Sequence, residues 1–573
     1  MKQIITLVMA CLYVHANTYS QTPNRFDVVI DELMADPYPP VALPNYEWIE
    51  LKNSSAAPVN LQGCRLANLS RQSGPMPNFV LRPDSFVIVC SASAVPALSA
   101  YGKTIAVTGF PSLINTGDRI TLINARGMVI HCVYYTDAWY QNDLKKSGGW
   151  SLEMIDTRNP CSGISNWKAS TDAKGGTPGR KNSTDAINPD RTPPRLLRAY
   201  ATDSVHITLV FDEPLDSLSA AQVTAYQISD GIGQPASANP QAPVFDHVNL
   251  RTTGVLLVNK VYAINVRMVT DCAGNPIGAP GQVYAGLPSP ADSLDLVINE
   301  ILFDPVPMGV DYVEIYNRSK KIIDLKKVSI ANRNSSGAVS SITPLSMESY
   351  LLFPGSFMVV TTNASVVKRN YITLNPDAFA EVGSMPSFNN DQGDVIILNE
   401  QGRIIDELVY SANWHFKLIT NPQGVALERI DYNASTPSPD NWHSAAASAG
   451  YGTPTYKNSQ YRSDLALQGE INVFPGIVSP DNDGMDDFET IAYQFPAPGY
   501  VANITIFDAS GRIVRYLQRN ALCGTNGNFR WDGLGERNKA LPVGIYIIYT
   551  DVFNLEGKRK QFKNVVVLAR KHG

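Results

Sequence analysis

Histidine and cysteine are scarce, with seven of each in 573 residues. His131, His206, His247, His415, His443 and His572 are scattered singly with no His-Glu-x-x-His among them, and Cys64, Cys90, Cys132, Cys161, Cys272 and Cys523 include no Cys-x-x-Cys pair. Zinc sites draw ligands from such closely spaced pairs, so none is expected. His131 and Cys132 are adjacent in a strand-like run, point to opposite faces, and so form no dyad. There is no Gly-x-Ser-x-Gly elbow and no phosphate loop, and Gly231 to Ala236 (GIGQPA) matches a dinucleotide fingerprint in letters only, without the strand-to-helix unit around it. Charge is thin as well: 17% of residues are charged and the net is −5, which offers no basic footprint for nucleic acid. Long hydrophobic runs are missing. The apolar run Ile4 to Val14 falls short of the roughly 20 residues that span a bilayer, and no later segment reaches that length.

What is abundant is turn material, with 39 Pro and 40 Gly beside 44% apolar residues. That mixture suits many short strands joined by turns. Single cores stop growing near ~250 to 300 residues, so the chain is expected to divide into several domains. Lys2, the short apolar run and small Ala16 with Val14 two before it read as a secretory signal over residues 1–16. Val8-Met9-Ala10-Cys11 also reads as a lipoprotein box in which Cys11 would carry the lipid. Export permits disulfides, yet the cysteine density is far below that of a disulfide-stapled scaffold, and buried free thiols are the expectation.

An internal repeat organises the chain. Residues 30–37 read IDELMADP and 298–305 read INEILFDP; WIELKN (48–53) answers YVEIYN (312–317), and VNLQGCRLAN (59–68) answers IDLKKVSIAN (323–332). The order continues with NTGDRITLINARGMVI (115–130) against NDQGDVIILNEQGRII (390–405). It closes with GGWSLEMID, Asn166-Trp167 and GTPGRKN against GVALERID, Asn441-Trp442 and GTPTYKN. Within each copy Trp48 and Glu50 alternate with Ile49 and Leu51, a period of two that predicts strands, and turn residues every ten or so positions predict a sandwich.

On these motifs both copies resemble the lamin tail domain, an immunoglobulin-like β-sandwich that also occurs in secreted bacterial proteins. The stretch between them, with SVHITLVFDEPLD and the turn Asp271-Cys272-Ala273-Gly274-Asn275, resembles an immunoglobulin-like spacer of bacterial surface proteins. NSTDAINPDRTPP and GLPSPADS read as polar linkers around it. The last hundred or so residues carry FPGIVSPDNDGMDDFE, FRWDGLGE and ALPVGIYIIY, and resemble the C-terminal domains of proteins carried by the type IX secretion system, including a family linked to gliding motility. That resemblance implies passage through the outer membrane, followed by release or attachment. Asp481-Asn482 stands where that family usually has Asn-Gly.

Chemistry is sparse in the remainder. Asp481, Asp483 and Asp487 alternate around Gly484, a spacing that lets one loop wrap oxygen ligands round calcium. The loop lacks the bidentate Glu of a full calcium loop. Glu32 and Glu300, Glu50 and Glu314, and Asp36 and Asp304 recur at equivalent places, and a repeated fold accounts for them as acceptors for backbone N–H groups and as turn residues. Trp150, Trp167 and Trp442 fit a sandwich core, and Lys558, Arg559, Lys560 and Lys563 fit the solvent face of an edge strand.

The sequence therefore predicts an all-β chain of tandem immunoglobulin-like β-sandwiches, beads on a string. The expected parts are a signal at 1–16, lamin-tail-like sandwiches at 26–183 and 295–459, a spacer at 190–288 and a sorting domain at 468–570. It predicts no catalytic and no cofactor-binding residues. The expected role is an interaction or adhesion scaffold at the cell surface, with a polysaccharide or surface protein and the type IX-like machinery as partners. An accessory to a secreted hydrolase or nuclease, and a structural part of the envelope or gliding machinery, are the alternatives.

Overall fold

The computed structural model describes residues 22–278, 281–461, 470–481 and 483–570; the expected signal, Cys11, Asn482 and His572 lie outside the described residues. The protein is all-β, and its contacts group into two compact units. One runs to Val255 and includes Tyr262–Ala285, and the other holds Leu256–Val261 and the residues from Gly286 onward.

In the first unit a six-stranded sheet runs in the order Trp167–Ala169, Leu152–Met154, Val28–Met34, Trp48–Asn53, Phe86–Cys90, Thr104–Ala106. The last pairing is parallel and the others antiparallel. Arg65–Ala67, Gly117–Ile123 and Val129–Thr136 form a second sheet. Ile30, Ile49 and Leu51 of the first sheet join Leu66, Ile120, Leu122 and Val133 of the second in one core. The opposite face of the six-stranded sheet is covered too, by a smaller cluster around Met34, Trp48, Ile88 and Leu98. Both faces of the strand Trp48–Asn53 are therefore buried, and Glu50, which alternation alone would place in water, is sealed inside.

Beyond it in the same unit lies a sandwich of a four-stranded sheet, Leu196–Ala201, His206–Phe211, His247–Arg251 and Ser237–Pro240, and a three-stranded one, Tyr226–Ile228, Tyr262–Val266 and Gly281–Ala285. Cys161 and Cys272 form a disulfide between this sandwich and the first. This corrects the expectation of free thiols for those two; Cys64, Cys90, Cys132 and Cys523 are free. The segment that reads as a linker is also bonded down: Ala186 N–H donates to Ile155 O at 3.0 Å and Asn188 N–H to Asp156 Oδ2 at 2.9 Å.

The second unit repeats the first sheet's topology with Phe379–Glu381, Phe357–Thr361, Tyr312–Asn317, Leu296–Leu302, Leu427–Arg429 and Trp442–Ser444. Its facing sheet has four strands because Val339–Pro344 is added at one edge. The C-terminal residues form a further sandwich of three strands against five, with Ile491, Ile504, Ile506, Trp531, Ile548 and Val566 at its centre. In the five-stranded sheet the last two residues of Arg559–Leu568 are paired on both sides, with Ile477–Val478 and with Gly544–Asn554. The basic first half of Arg559–Leu568 pairs with Gly544–Asn554, and Arg559 bonds Asp551 there.

Candidate functional site

The glutamates that recur in the repeat form a buried row in each copy, whereas Asp36 and Asp304 lie half-buried in turns. Glu32 lies opposite both Glu153 and Glu50 across three neighbouring strands, and Glu300 lies likewise opposite Glu428 and Glu314. All six are fully buried. The closing segment of each copy, GTP…KN and the two residues after it, runs over its row and supplies donors. Thr177 N–H donates to Glu32 Oε1 at 2.7 Å, Gly179 N–H to Glu50, and Thr184 N–H to Glu153 at 2.9 Å. In the second copy Thr453 N–H donates to Glu300 at 3.0 Å, Thr455 N–H to Glu314, and Gln460 N–H to Glu428 at 2.8 Å. Buried carboxyl groups under an irregular segment satisfy backbone N–H groups that no strand reaches. The recurring glutamates are thus latches that hold the closing segment on the sheet.

Electrostatics fit this reading. Burial first, and then the neighbouring carboxyl groups, push Glu32, Glu50 and Glu314 well above the ordinary carboxyl range, and Glu428 up to about 8. The geometry requires a shared proton. Thr453 Oγ1 lies 2.8 Å from both Glu300 Oε2 and Glu428 Oε1. A hydroxyl has one hydrogen to give, so one of these carboxyls keeps its own and donates to Thr453.

At the start of each latch strand a bulge leaves one N–H without a ladder partner, and the two copies meet it differently. Register slips between Ile30 and Glu32, and between Ile298 and Glu300. Ile30 N–H donates to Nδ1 of His131 at 2.9 Å, which leaves the Nε2 hydrogen for Pro160 O at 2.9 Å and keeps the ring neutral. Its pKa is lowered to about 4, chiefly by burial. At the equivalent place Asp406 Oδ2 accepts from Ile298 N–H at 2.8 Å, and the buried guanidinium of Arg429 stands 3.6 Å away. Arg429 occupies the position that Met154 holds in the first copy.

The carboxylate oxygens of Asp481, Asp483 and Asp487 come within 4.8 Å of one another. Gly484 N–H and Met485 N–H donate to Asp487 and Asp483 at 2.9 Å, and Gly484 has φ +86°. Trp167 and Trp442 are buried, and Trp442 Nε1 donates to Thr436 O at 2.7 Å; Trp150 is half-buried with Lys145 Nζ 4.1 Å above its ring. His415 is buried against Ser444 Oγ at 3.0 Å, while exposed His206 pairs with Asp203.

A cleft of about 440 Å³ in the first unit went unanticipated in the sequence. Tyr134, Trp139, Asp190, Asp212, Glu213 and Asp246 line it, with Cys161 at its edge. Carboxylate oxygens of Asp190, Glu213 and Asp271 lie within 4.8 Å of one another. These residues are far apart in the chain and belong to two sandwiches. The one signal available was the Asp271-Cys272 pair in the turn, where one residue joins the acidic group and the next the disulfide.

This is a protein of tandem immunoglobulin-like β-sandwiches with buried carboxylate latches. The family model described as Lamin Tail Domain matches residues 21–137 and 289–412, the two copies of the repeat. No curated protein matches the chain. Among solved structures, the N-terminal part of the bacterial S-layer protein SbsC is 13% identical at TM-score 0.16, covering 38% of this chain and 44% of that one. A tetra-tandem repeat from the extending region of a large adhesion protein is 11% identical at TM-score 0.12, covering 95% and 98%. Dimeric latent PorU from Porphyromonas gingivalis is 9% identical at TM-score 0.14, covering 71% and 35%. The chain spans about half the length of the S-layer structures it matches.

Proposed function

We propose that the chain is a non-catalytic interaction and adhesion scaffold, secreted or held at the outer surface and exported through its C-terminal domain by a type IX-like route. Its parts are read as a signal at 1–16, sandwiches at 26–183, 190–288 and 295–459, and a sorting domain at 468–570. The observation that carries this reading is the fate of the recurring carboxylates. The glutamates common to both copies are spent on fastening the closing segments and are sealed from solvent, while Asp36 and Asp304 are half-buried turn residues. What each copy offers to its surroundings is loop tips and strand faces on a rigid frame, the usual setting for binding. The test is binding of the full chain to a panel of polysaccharides and extracellular proteins, with calcium and with chelator. Saturable binding to one class is expected, and failure to bind any member would overturn the reading.

Calcium is proposed as a structural ligand of Asp481, Asp483 and Asp487, each offering one oxygen in a loop whose Gly484 makes the reversal. Calcium is then expected to raise the melting temperature of the C-terminal sandwich, and Asp483→Asn to abolish that rise. An equal rise in the variant, or none in the parent, would show that the loop is only an acidic turn.

A further inference from the structure

The cleft of the first unit joins aromatic surface to a cluster of carboxyl groups. Tyr134 is 60% exposed, and Trp139 is half-buried with its ring centroid 5.8 Å from that of Trp167. Gly163 lets the neighbouring loop lie on Trp139, since a Cβ there would meet the indole at 3.3 Å. The polar lining is mostly carboxylate. Asp190 accepts from Ser162 Oγ at 2.8 Å and Thr192 N–H at 2.9 Å, Asp212 accepts from Arg195 N–H at 2.7 Å, and Asp246 pairs with His247. Among the described residues no lysine or arginine side chain forms an ion pair with Asp190, Asp212 or Glu213. Burial raises the Glu213 carboxyl to about 8, and Asp190, Asp271 and Asp212 push it the same way.

We propose that this cleft binds a basic side chain, arginine above all, presented by a partner protein. A planar guanidinium stacks on Tyr134 or Trp139 while its forked N–H groups donate to Asp190, Asp212 and Glu213. A lysine ammonium satisfies the charge but neither the plane nor the fork. The volume, about 440 Å³, suits one long side chain with its flanking backbone. Cys161 lines the cleft, and its partner Cys272 adjoins Asp271, so the disulfide fixes the spacing between the sandwiches that supply the walls.

The inference rests on the scaffold reading and gives it a ligand chemistry. The probe is the peptide acetyl-Gly-Ser-Arg-Ser-Gly-amide, with its citrulline counterpart as the neutral isostere, titrated against the full chain by surface plasmon resonance. The arginine peptide is expected to bind saturably. Citrulline is expected to weaken it by about tenfold or more, and Glu213→Gln and Trp139→Ala to do the same. An unchanged melting temperature in Glu213→Gln, which lies outside the core, separates lost binding from lost folding. Equal binding of the citrulline peptide, or full binding by both variants, overturns the proposal. So does calcium binding that Glu213→Gln removes in a chain indifferent to the arginine peptide, which would make the acidic group a metal site. Adhesion to the surface panel without any arginine response would sink the cleft and leave the scaffold standing.

Discussion

Replacing Arg429 with methionine is expected to destabilise the second unit by about 4 kcal/mol, because it strands the Asp406 carboxylate in a site from which water is excluded. Arg429 is fully buried. It donates to Ile298 O at 3.0 Å, Thr436 Oγ1 at 2.8 Å and Ala434 O at 2.6 Å, while Asp406 takes Thr436 Oγ1 at 2.6 Å and Ile298 N–H at 2.8 Å. Burial lowers Arg429 and raises Asp406, and each is opposed by the partner's charge. The first copy shows how the same N–H is satisfied without charge: a neutral His131 accepts it, and Met154 stands where the guanidinium would be. The pair Asp406→His with Arg429→Met is therefore expected to recover about half the loss or more, since it carries the neutral solution across. A double-mutant cycle by chemical denaturation decides the matter. If the two single costs simply add, His131 and Asp406 are not interchangeable answers to one bulge, and the ion pair has some other role.

Two of the three glutamates in each row, Glu32 with Glu50 and Glu300 with Glu314, were legible because each copy carries them in the same motifs and the same order, and repetition separates constraint from accident. Their surroundings were less so. Period-two alternation at Glu50 says only that it faces away from Ile49 and Leu51; that this face is covered depends on Gly179, which arrives from the end of the module to donate its N–H. The disulfide was hidden for the opposite reason. Thr436 stands in the second copy where Cys161 stands in the first, so the repeat itself argues against a cysteine with a fixed role. Its partner Cys272 sits in a different sandwich, at a separation of 111 residues, where spacing carries no information about pairing. The cleft carboxylates suffer likewise. Asp190 reads as part of a polar linker and Glu213 as the end of a strand, and only the packing of two sandwiches makes them neighbours. The acidic loop differs because all its members lie within one turn, and local spacing was enough to bring Asp481, Asp483 and Asp487 together.

The latch also makes stability depend on pH, with a sign that can be worked out group by group. Glu428 has an ordinary value of 4.5 and is held at about 8, so the folded chain binds this proton more tightly than the unfolded chain. Its contribution is complete below pH 4.5 and is lost as pH rises to 8. His415 runs the other way: burial lowers it from 6.5 to about 4, so its contribution is complete above pH 6.5 and is lost as pH falls to 4. Between pH 4.5 and 6.5 the two slopes oppose each other. Above 6.5 the histidine has nothing further to gain, and the raised carboxyls of the row set the slope. Glu300 and Glu314, raised in the same row, add to it with the same sign. From pH 6.5 to 8 the second unit is expected to lose about 2 kcal/mol through Glu428. Glu428→Gln retains a neutral group that can donate to Thr453 Oγ1 in place of the carboxyl proton, and it is expected to remove that part of the slope. Urea denaturation of both chains at pH 6.5 and 8 measures the difference. Parallel losses in the two would mean that the proton shared through Thr453 belongs to Glu300, whose second oxygen already takes the hydroxyl of Tyr312 at 2.5 Å. In that event Glu300→Gln, with Tyr312 left in place, should flatten the profile instead.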